Sequence, residues 1–352
     1  MSIYLDYNSS APIDERVLEA MIYVYKNIIG NADSRTHDYG ESARKIVENA
    51  RKQVASVLRI KSDEVFFTSG ATESNNIALQ GLKEYAYSTN KKHIITTSIE
   101  HKAILETVKV LQQEGFAVDY ISPDISGRIS VTDVLEKVRK DTLLVSVMHV
   151  NNETGITQPV YEIGEALQDK DVLFHVDATQ SFGKLVEELQ QIKYNMLSMS
   201  AHKLGGPQGI GALILRKQRY KLPPVKPIMY GGQQEHGIRP GTLPVALIAG
   251  LGKACEIAEK EYKTNISTLL NICFKGVSSE ALMLSSKDFC SISNGSACNS
   301  KSYSPSYVLL AMGIPKDQIE SSVRISWGHD ITIDEIEKSF QNVIEAAKGL
   351  VW

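Results

Sequence analysis

Three reactive side chains lie together directly after the apolar run MLSM. They are Ser200, His202 and Lys203, in the stretch SAHK. A serine and a histidine can both donate hydrogen bonds to an anion, and a lysine whose pKa is lowered by loss of solvent can form a Schiff base with an aldehyde. The alternative is an ordinary lysine whose amine reaches the surface.

A carboxylate follows a second apolar run, in VLFHVDATQS. Asp177 stands where this run ends, and the carboxyl ends of strands are where α/β folds place ligand groups. A carboxylate there needs a positively charged partner, because an isolated buried charge is costly. The alternative for Asp177 is an N-cap of the next helix, for which aspartate is well suited.

Small residues follow a third apolar run and open a helical pattern, in FFTSGATESNN. A helix that begins at Ala71 and Thr72 leaves main-chain N–H groups pointing outward, and with the helix dipole these groups bind an anion. The alternative is an ordinary helix start capped by Ser69 or Thr72.

Taken together, the three stretches indicate one cofactor. Pyridoxal phosphate (PLP) needs a phosphate cup, a carboxylate for its pyridinium nitrogen and a lysine for its aldehyde. The chain offers all three in that order. The glycine-rich GGPQGIG after Lys203 does not fit a dinucleotide fingerprint, because its spacing is wrong, Pro207 interrupts it and a strand follows.

The elements that must position these groups alternate along the chain. Seven short apolar runs predict strands: EVFFTS, HIITTS, AVDYIS, LLVSVMHV, VLFHVDA, MLSMSA and ALILR. Patterns of helical spacing predict helices over 41–58, 72–88, 101–114, 131–140 and 159–169. Several runs are apolar throughout, which is typical of parallel strands covered on both faces. The alternation predicts a large α/β domain.

Composition limits the class of protein. The 352 residues are 43% hydrophobic, and 38 Lys+Arg against 41 Asp+Glu give a net charge of −3. This balance argues against broad polyanion binding, so no direct contact with nucleic acid is expected. The start MSIYLDYN lacks the pattern of a signal peptide, and no run approaches the ~20 apolar residues of a membrane span. We expect a cytoplasmic protein with no membrane contact and no metal site.

The four cysteines divide into two kinds. Cys255, Cys273 and Cys290 stand among apolar neighbours, which predicts core positions, and the absence of a CxxC pair argues against a zinc site. Cys298 lies in NGSACNSKSYS, which has almost no apolar content and predicts an exposed loop. An exposed thiol near a cationic cofactor site is partly thiolate and nucleophilic.

The chain resembles the NifS/IscS-type cysteine desulfurases of the class-V aminotransferase superfamily. The resemblance rests on IYLDYN, TSGATESNN, EHKA, MHVNNETG, HVDATQS, SAHKLGGPQGIGAL, GGQQEHGIRPGT, SNGSAC, SPSYVLLAMG and SSVRISWG. The stretches GNADSRTHDYG, GRISV, ITQPV, RPGTLPVALI and RISW are most similar to the DndA branch, which supplies sulfur for DNA phosphorothioate modification.

The resemblance implies a PLP-dependent transferase of fold type I. Its large PLP-binding domain would span 14–250, with a seven-stranded, mostly parallel sheet. A smaller α/β domain, formed by 1–13 and 251–352, would carry the Cys298 loop. The implied reaction converts L-cysteine to L-alanine and leaves a persulfide on Cys298, in a cytoplasmic homodimer with a sulfur-acceptor protein as partner.

The resemblance also assigns the phosphate ligands. Ala71, Thr72, Ser200 and His202 would hold the phosphate. Thr242, in the loop 226–244, would reach the phosphate of the neighbouring subunit.

The remaining cofactor roles follow from the same resemblance. His101 would stack on the pyridine ring and act as a general acid or base, Asp177 would pair with the pyridinium, and Gln180 would bond the phenolic oxygen. Asn152 would lie near cofactor and substrate. Lys203 would hold the aldehyde and then take the Cα proton.

Substrate binding is implied for two further residues. Asn31 and Arg324 would bind the carboxylate of L-cysteine, since the arginine fork binds carboxylates bidentately, and Asn152 would also contact the substrate. The alternative for Arg324 is a surface ion pair.

Other functions stay open at this point. They are a general sulfur donor for Fe–S clusters or tRNA thiolation, another class-V PLP enzyme such as a selenocysteine lyase or aminotransferase, and a non-catalytic scaffold. Relatives also carry a few dozen more residues between the helix at 246–262 and the following strand. A true deletion would open the core of the small domain, so residues missing from the sequence are the favoured explanation.

Overall fold

The computed structural model describes residues 2–294 and 304–351. The strands in this part are β1 (Ile3–Tyr4), β2 (Val65–Thr68), β3 (His93–Thr97), β4 (Ala117–Ile121), β5 (Thr142–Met148), β6 (Leu173–Asp177), β7 (Met196–Ser200), β8 (Gly211–Leu215), β9 (Thr268–Cys273), β10 (Cys290–Ser291) and β11 (Ser322–Trp327). The helices are α1 (Glu15–Asn27), α2 (Asp38–Val57), α3 (Ala71–Gln80), α4 (Lys83–Thr89), α5 (Lys102–Gln113), α6 (Val131–Glu136), α7 (Val160–Leu167), α8 (Val186–Gln191), α9 (Val245–Glu261), α10 (Ser279–Ser286), α11 (Tyr307–Ala311), α12 (Lys316–Glu320) and α13 (Ile333–Lys348).

The central sheet has seven strands in the order β2-β8-β7-β6-β5-β3-β4. Strand β8 runs antiparallel to both β2 and β7, and the other pairs are parallel. The predicted α/β class with a mostly parallel sheet is confirmed. Asp177 pairs with Met148 on one side and Ser198 on the other, so the ends of β5, β6 and β7 meet at one edge.

Helices cover both faces of this sheet and produce two separate apolar cores. Successive strand residues point to opposite faces, and accordingly Phe67 packs in one core with Val147 and Leu251, while Phe66 packs in the other. Coverage on both sides explains why the strand runs are apolar rather than alternating.

The predicted helix over 72–88 is two helices, α3 and α4. The break lies at Gly81, where a Cβ atom would stand 2.7 Å from the carbonyl oxygen of Lys226. Lys226 in turn donates its N–H to the Gly81 carbonyl at 2.9 Å. The close approach of this loop therefore requires glycine and ends α3. In the described part of the chain, no helix has the length and apolar content to cross a bilayer.

A third core lies outside the large sheet. It contains Leu5, Val323, Ile325 and Val343, and it is framed by the pairs β1–β10 and β9–β11 with α10 and α13. The expected domain boundary at residue 251 lies inside α9, whose residues Leu251 and Cys255 pack in the large core.

The connection between α9 and β9 is short and continuous. Residues 262–267 alone join them in the sequence of 352 residues, and the expectation that residues are missing from the sequence at this point stays a prediction. The third core still forms, but no residue of β9 is fully buried.

Because β9 is not fully buried, its last residue, Cys273, is partly exposed, and the predicted core position is wrong for this cysteine. Cys255 and Cys290 are buried, as predicted.

Candidate active site

One cavity of about 560 Å³ lies at the edge where β5, β6 and β7 end. Ten residues singled out by the sequence line it: Ala71, Thr72, His101, Asn152, Asp177, Gln180, Ser200, His202, Lys203 and Arg324. Asn31 and Thr242 do not line it, and both are exposed on this chain. Cys298 lies outside the described residues.

The start of α3 forms one end of the cavity. Its N-cap is Gly70, with φ of 149°, and no side chain caps the helix, so the alternative of an ordinary Ser69 or Thr72 cap is wrong. The N–H of Ser69 instead donates to Glu73 Oε2 at 2.5 Å. The uncapped helix start beside Ala71 and Thr72 suits an anion such as a phosphate.

Asp177 is held by three neutral donors. Asn75 Nδ2 donates to Oδ2 at 2.8 Å, and the N–H and Oγ1 of Thr179 donate to Oδ1 at 3.0 and 2.5 Å. The next helix, α8, begins only at Val186, so Asp177 does not cap it. The carboxylate is 4% exposed, and a protonated pyridine nitrogen would give it a positively charged partner.

Lys203 closes a single 3-10 turn, Ala201–Lys203, directly after β7. Its Nζ donates to the carbonyl oxygens of Asn8 and Ser9, both at 2.6 Å. The side chain is only half-buried, rather than fully removed from solvent as expected for a Schiff-base lysine, because it lies in the wall of an open cavity. Gly205, with φ of 74°, turns the chain away after it, so this glycine serves the turn and not a phosphate.

His202 and His101 are both held as neutral imidazoles. Burial, reinforced by the charge of Lys203, lowers the pKa of His202 to about 4. Burial also lowers the pKa of His101 below its ordinary value. His101 is the N-cap of α5, and its Nδ1 accepts the N–H of Ala103 at 3.1 Å. The neutral ring of His101 therefore carries its proton on Nε2.

Arg324 is placed on β11 and reaches the cavity from the third core. Its guanidinium donates to Asp6 Oδ1 at 2.6 Å and to the carbonyl oxygen of Asn152 at 2.9 Å. The residue is 5% exposed, so it is not a surface ion pair. A fixed, buried guanidinium of this kind suits a small carboxylate.

Orphaned polar atoms in the cavity fit the cofactor and its substrate. Asn152 Oδ1, Gln180 Oε1 and Arg324 Nε are buried, and none has a hydrogen-bond partner within 2–294 and 304–351. Buried polar atoms without partners are rare in folded proteins. A phenolic hydroxyl would satisfy an amide oxygen, and a carboxylate would satisfy the Nε–H.

Sequence reasoning missed several residues that shape this cavity. Asn8, Ser9 and Ser10 line it, and Ser10 Oγ lies 3.2 Å from His202 Nδ1. The stretch IYLDYN was among the matching motifs, but no local pattern indicates that the Asn8 carbonyl meets Lys203. Asn75 was missed as well, although its place one helical turn after Ala71 could have suggested it.

Comparisons with known proteins agree with this geometry. The family described as Aminotransferase class-V matches residues 3–268. Cysteine desulfurase IscS of Glaesserella parasuis is 41% identical, with 99% of this chain and 94% of that protein covered. That alignment spans 385 residues against the 352 of this chain, so the relative carries residues that this chain lacks.

Solved structures show the same relationship. A NifS-like protein superposes with a TM-score of 0.90 at 34% identity, over 99% of this chain and all of that chain. DndA from Streptomyces lividans is 42% identical, with a TM-score of 0.78 over 90% of this chain and 96% of that chain. The structure described as SspA in complex with cysteine is 36% identical, with a TM-score of 0.81 over 92% and 98% of the two chains.

The chain therefore belongs to the class-V aminotransferase family and, within it, to the NifS/IscS-type cysteine desulfurases, which are PLP-dependent enzymes.

Proposed function

We propose that this cysteine desulfurase carries the sulfur of L-cysteine as a persulfide on Cys298 and delivers it to DNA phosphorothioate modification. The observation that carries the first half is the meeting of Lys203, Asp177 and Arg324 around one cavity. The second half is supported by the DndA-like sequence stretches and by the 42% identity to DndA.

PLP, when bound, draws electrons from Cα of the substrate through its protonated ring. Asp177 would keep the ring nitrogen protonated, and Gln180 would meet the phenolic oxygen. Ala71, Thr72, Ser200 and His202 would bind the phosphate.

Lys203 would hold the aldehyde and, once released by the substrate amine, would move the proton at Cα. The carbonyl oxygens of Asn8 and Ser9, which hold Nζ at 2.6 Å, would position the free amine for this task. His101, with its proton on Nε2, would stack on the ring and serve as a general acid or base.

The substrate carboxylate would bind Arg324, with Asn152 beside it. The Cys298 thiolate would attack the sulfur of L-cysteine, so one S–S bond forms and one C–S bond breaks. The carbon skeleton takes up a proton and leaves as L-alanine. In total, L-cysteine and the Cys298 thiol are converted to L-alanine and the Cys298 persulfide.

A homodimer would complete each site. Thr242 is exposed on its own chain, and its loop is held from within by the ion pairs Arg51–Glu235 at 2.7 Å and Arg239–Glu73 at 2.9 Å. An exposed threonine on a loop that is anchored in this way suits a contact with the phosphate of a neighbouring subunit. Exposed Tyr23 and Tyr25 on α1, at 61% and 65%, add apolar surface for such a contact.

The desulfurase step is tested by measuring alanine and sulfide formed from L-cysteine. Lys203→Ala should lose turnover and the visible absorbance of bound PLP. Cys298→Ala should keep the absorbance and lose the persulfide, while the control Cys273→Ala, which removes a partly exposed cysteine, should behave as wild type. Undiminished turnover in Cys298→Ala would disprove the role of that thiol.

The destination of the sulfur needs a separate test. IscS relatives at 41–42% identity favour a second candidate, a general sulfur donor for Fe–S clusters or tRNA thiolation. The gene should restore phosphorothioate linkages, measured by mass spectrometry of digested DNA, in cells whose modification system lacks its desulfurase. Restoration of Fe–S enzyme activity or tRNA thiolation alone would favour the second candidate. In either case we place the enzyme in the cytoplasm.

A further inference from the structure

Two buried glutamates beside the cavity have no part in the chemistry above. Glu100 directly precedes His101 and is 0% exposed, and Glu153 directly follows Asn152 and is 2% exposed. Burial raises the pKa of both carboxyl groups. Such burial is costly unless the groups have a structural task, and their contacts lead to one element, α11.

Glu153 holds the first turn of α11 through Ser306. Ser306 Oγ donates to Glu153 Oε2 at 2.5 Å and accepts the N–H of Leu309 at 3.1 Å, so one hydroxyl both caps the helix and ties it to the cavity wall. Ser306 is itself 3% exposed, so water competes little for this hydrogen bond.

The next residue makes a second tie. Tyr307 Oη donates to the carbonyl oxygen of Glu100 at 2.7 Å. Asn151 connects the loop that contains Glu100 to the loop that contains Glu153. Its Nδ2 donates to the Ile99 carbonyl at 3.0 Å, and its Oδ1 accepts the Glu153 N–H at 2.9 Å. The hydrogen bonds of Ser306 and Tyr307 thus hold the start of α11 against the two loops that flank the expected position of the cofactor ring.

The chain before residue 295 is anchored to the same site. Ser293 forms main-chain hydrogen bonds with Arg324, 3.0 Å from Ser293 N to Arg324 O and 2.5 Å in the other direction. The described residues on the two sides of Cys298 are therefore tied to Arg324 on one side and to Glu153 on the other.

We propose that Glu153 and Ser306 are a positioning pair, which fixes the attachment point of the Cys298-bearing segment relative to the cofactor ring and so controls the rate of sulfur transfer. The inference rests on the proposed role of Cys298. Neither residue touches the reacting atoms, and their effect passes through the start of α11.

The test separates sulfur transfer from the earlier proton chemistry. Exchange of the α-hydrogen of L-alanine with D₂O needs Lys203 and PLP but no thiol, whereas single-turnover persulfide formation from L-cysteine needs Cys298. Ser306→Ala in the holoenzyme should slow persulfide formation by about tenfold or more, because small displacements of a reacting group are costly. Its exchange rate and PLP absorbance should stay within about twofold of wild type.

Matched variants make the result specific. Ser306→Thr keeps the hydroxyl and should restore most of the rate. Tyr307→Phe removes the hydroxyl that donates to Glu100 O and should likewise slow persulfide formation while leaving the exchange rate unchanged. Ser339→Ala removes another buried serine hydroxyl, one that donates to Glu335 O at 2.7 Å within α13, and should leave both rates unchanged.

Each outcome bears on the inference. A wild-type persulfide rate in Ser306→Ala would overturn it, as would an equal fall in exchange and persulfide formation, which indicates a general disturbance of the cavity. A wild-type enzyme that exchanges the α-hydrogen but forms no persulfide would overturn the proposed function itself.

Discussion

The side-chain amide of Asn75 donates a 2.8 Å hydrogen bond to Asp177 Oδ2. Asn75 lies on α3, the helix whose start suits the phosphate, and Asp177 ends β6, where it faces the expected ring nitrogen. Both side chains are buried. This contact therefore fixes the distance between the two groups that would bind opposite ends of one cofactor.

Asn75→Ala should weaken PLP binding. A hydrogen bond to a charged group contributes about 1.5–3 kcal/mol, so we expect dissociation constants roughly ten- to a hundredfold higher. The measurement is the PLP concentration that restores half of the visible absorbance to the apo-enzyme. Asn49→Ala, an exposed asparagine on α2, is the matched control. Equal PLP affinity in the two variants would show that Asp177 needs no help from Asn75.

Arg324→Lys should weaken substrate binding without affecting PLP binding. The guanidinium uses some of its donors on Asp6 and the Asn152 carbonyl, and its buried Nε–H is left for a ligand. A lysine ammonium cannot donate to Asp6, to the Asn152 carbonyl and to a ligand with the planar geometry of a guanidinium. We expect KM for L-cysteine to rise about tenfold or more at unchanged PLP absorbance.

The control for this prediction is Arg128→Lys, which alters an exposed arginine paired with Glu162. A variant Arg324→Lys with unchanged KM but a lower kcat would contradict carboxylate binding by Arg324 and would favour a role in the later steps.

The sequence predicts the strand-end groups well, because parallel strands bring their carboxyl ends to one edge. Asp177 stands at the end of β6, and Ser200 and Lys203 stand together at the end of β7. The two groups are separated in the chain, but each comes at the end of a buried run, and that pattern is visible locally. The carbonyl contacts of Lys203 with Asn8 and Ser9 are not predictable in this way, because every residue has a carbonyl and only tertiary packing selects these two. The break of the predicted helix at Gly81 has the same origin, since it depends on the approach of Lys226.

Glu100→Gln should remove a stability penalty that grows with pH. Burial raises the pKa of Glu100 to about 8, from an ordinary value near 4.5. Between these two values the unfolded chain loses this proton and the folded chain keeps it. The free energy of unfolding therefore falls with rising pH, by about 1.4 kcal/mol per unit for one group.

The measurement is urea unfolding of both proteins between pH 5 and pH 8. The difference in unfolding free energy, variant minus wild type, should increase steadily with pH, whatever its starting value. A constant difference across this range would mean that Glu100 is already ionised in the folded protein at pH 5.

His175→Gln should reduce the loss of stability in acid. His175 is fully buried between Ser146 Oγ and Ser198 Oγ, each 2.9 Å from a ring nitrogen, and burial lowers its pKa to about 4 from an ordinary value near 6.5. Between pH 6.5 and pH 4 the unfolded chain binds a proton that the folded chain does not. Folding stability therefore falls as the pH falls, by about 1.4 kcal/mol per unit.

The variant loses two hydrogen bonds and should be less stable than wild type at pH 7.5. Below pH 6.5 its unfolding free energy should fall less steeply with falling pH, because its unfolding takes up about one proton fewer. Urea unfolding at several pH values from 4.5 to 7.5 gives both slopes. His149, whose pKa burial also lowers to about 4, should contribute a second, additive proton, so His149→Gln combined with His175→Gln should flatten the profile further. Parallel profiles for wild type and His175→Gln would show that the folded protein protonates His175 as readily as the unfolded chain does.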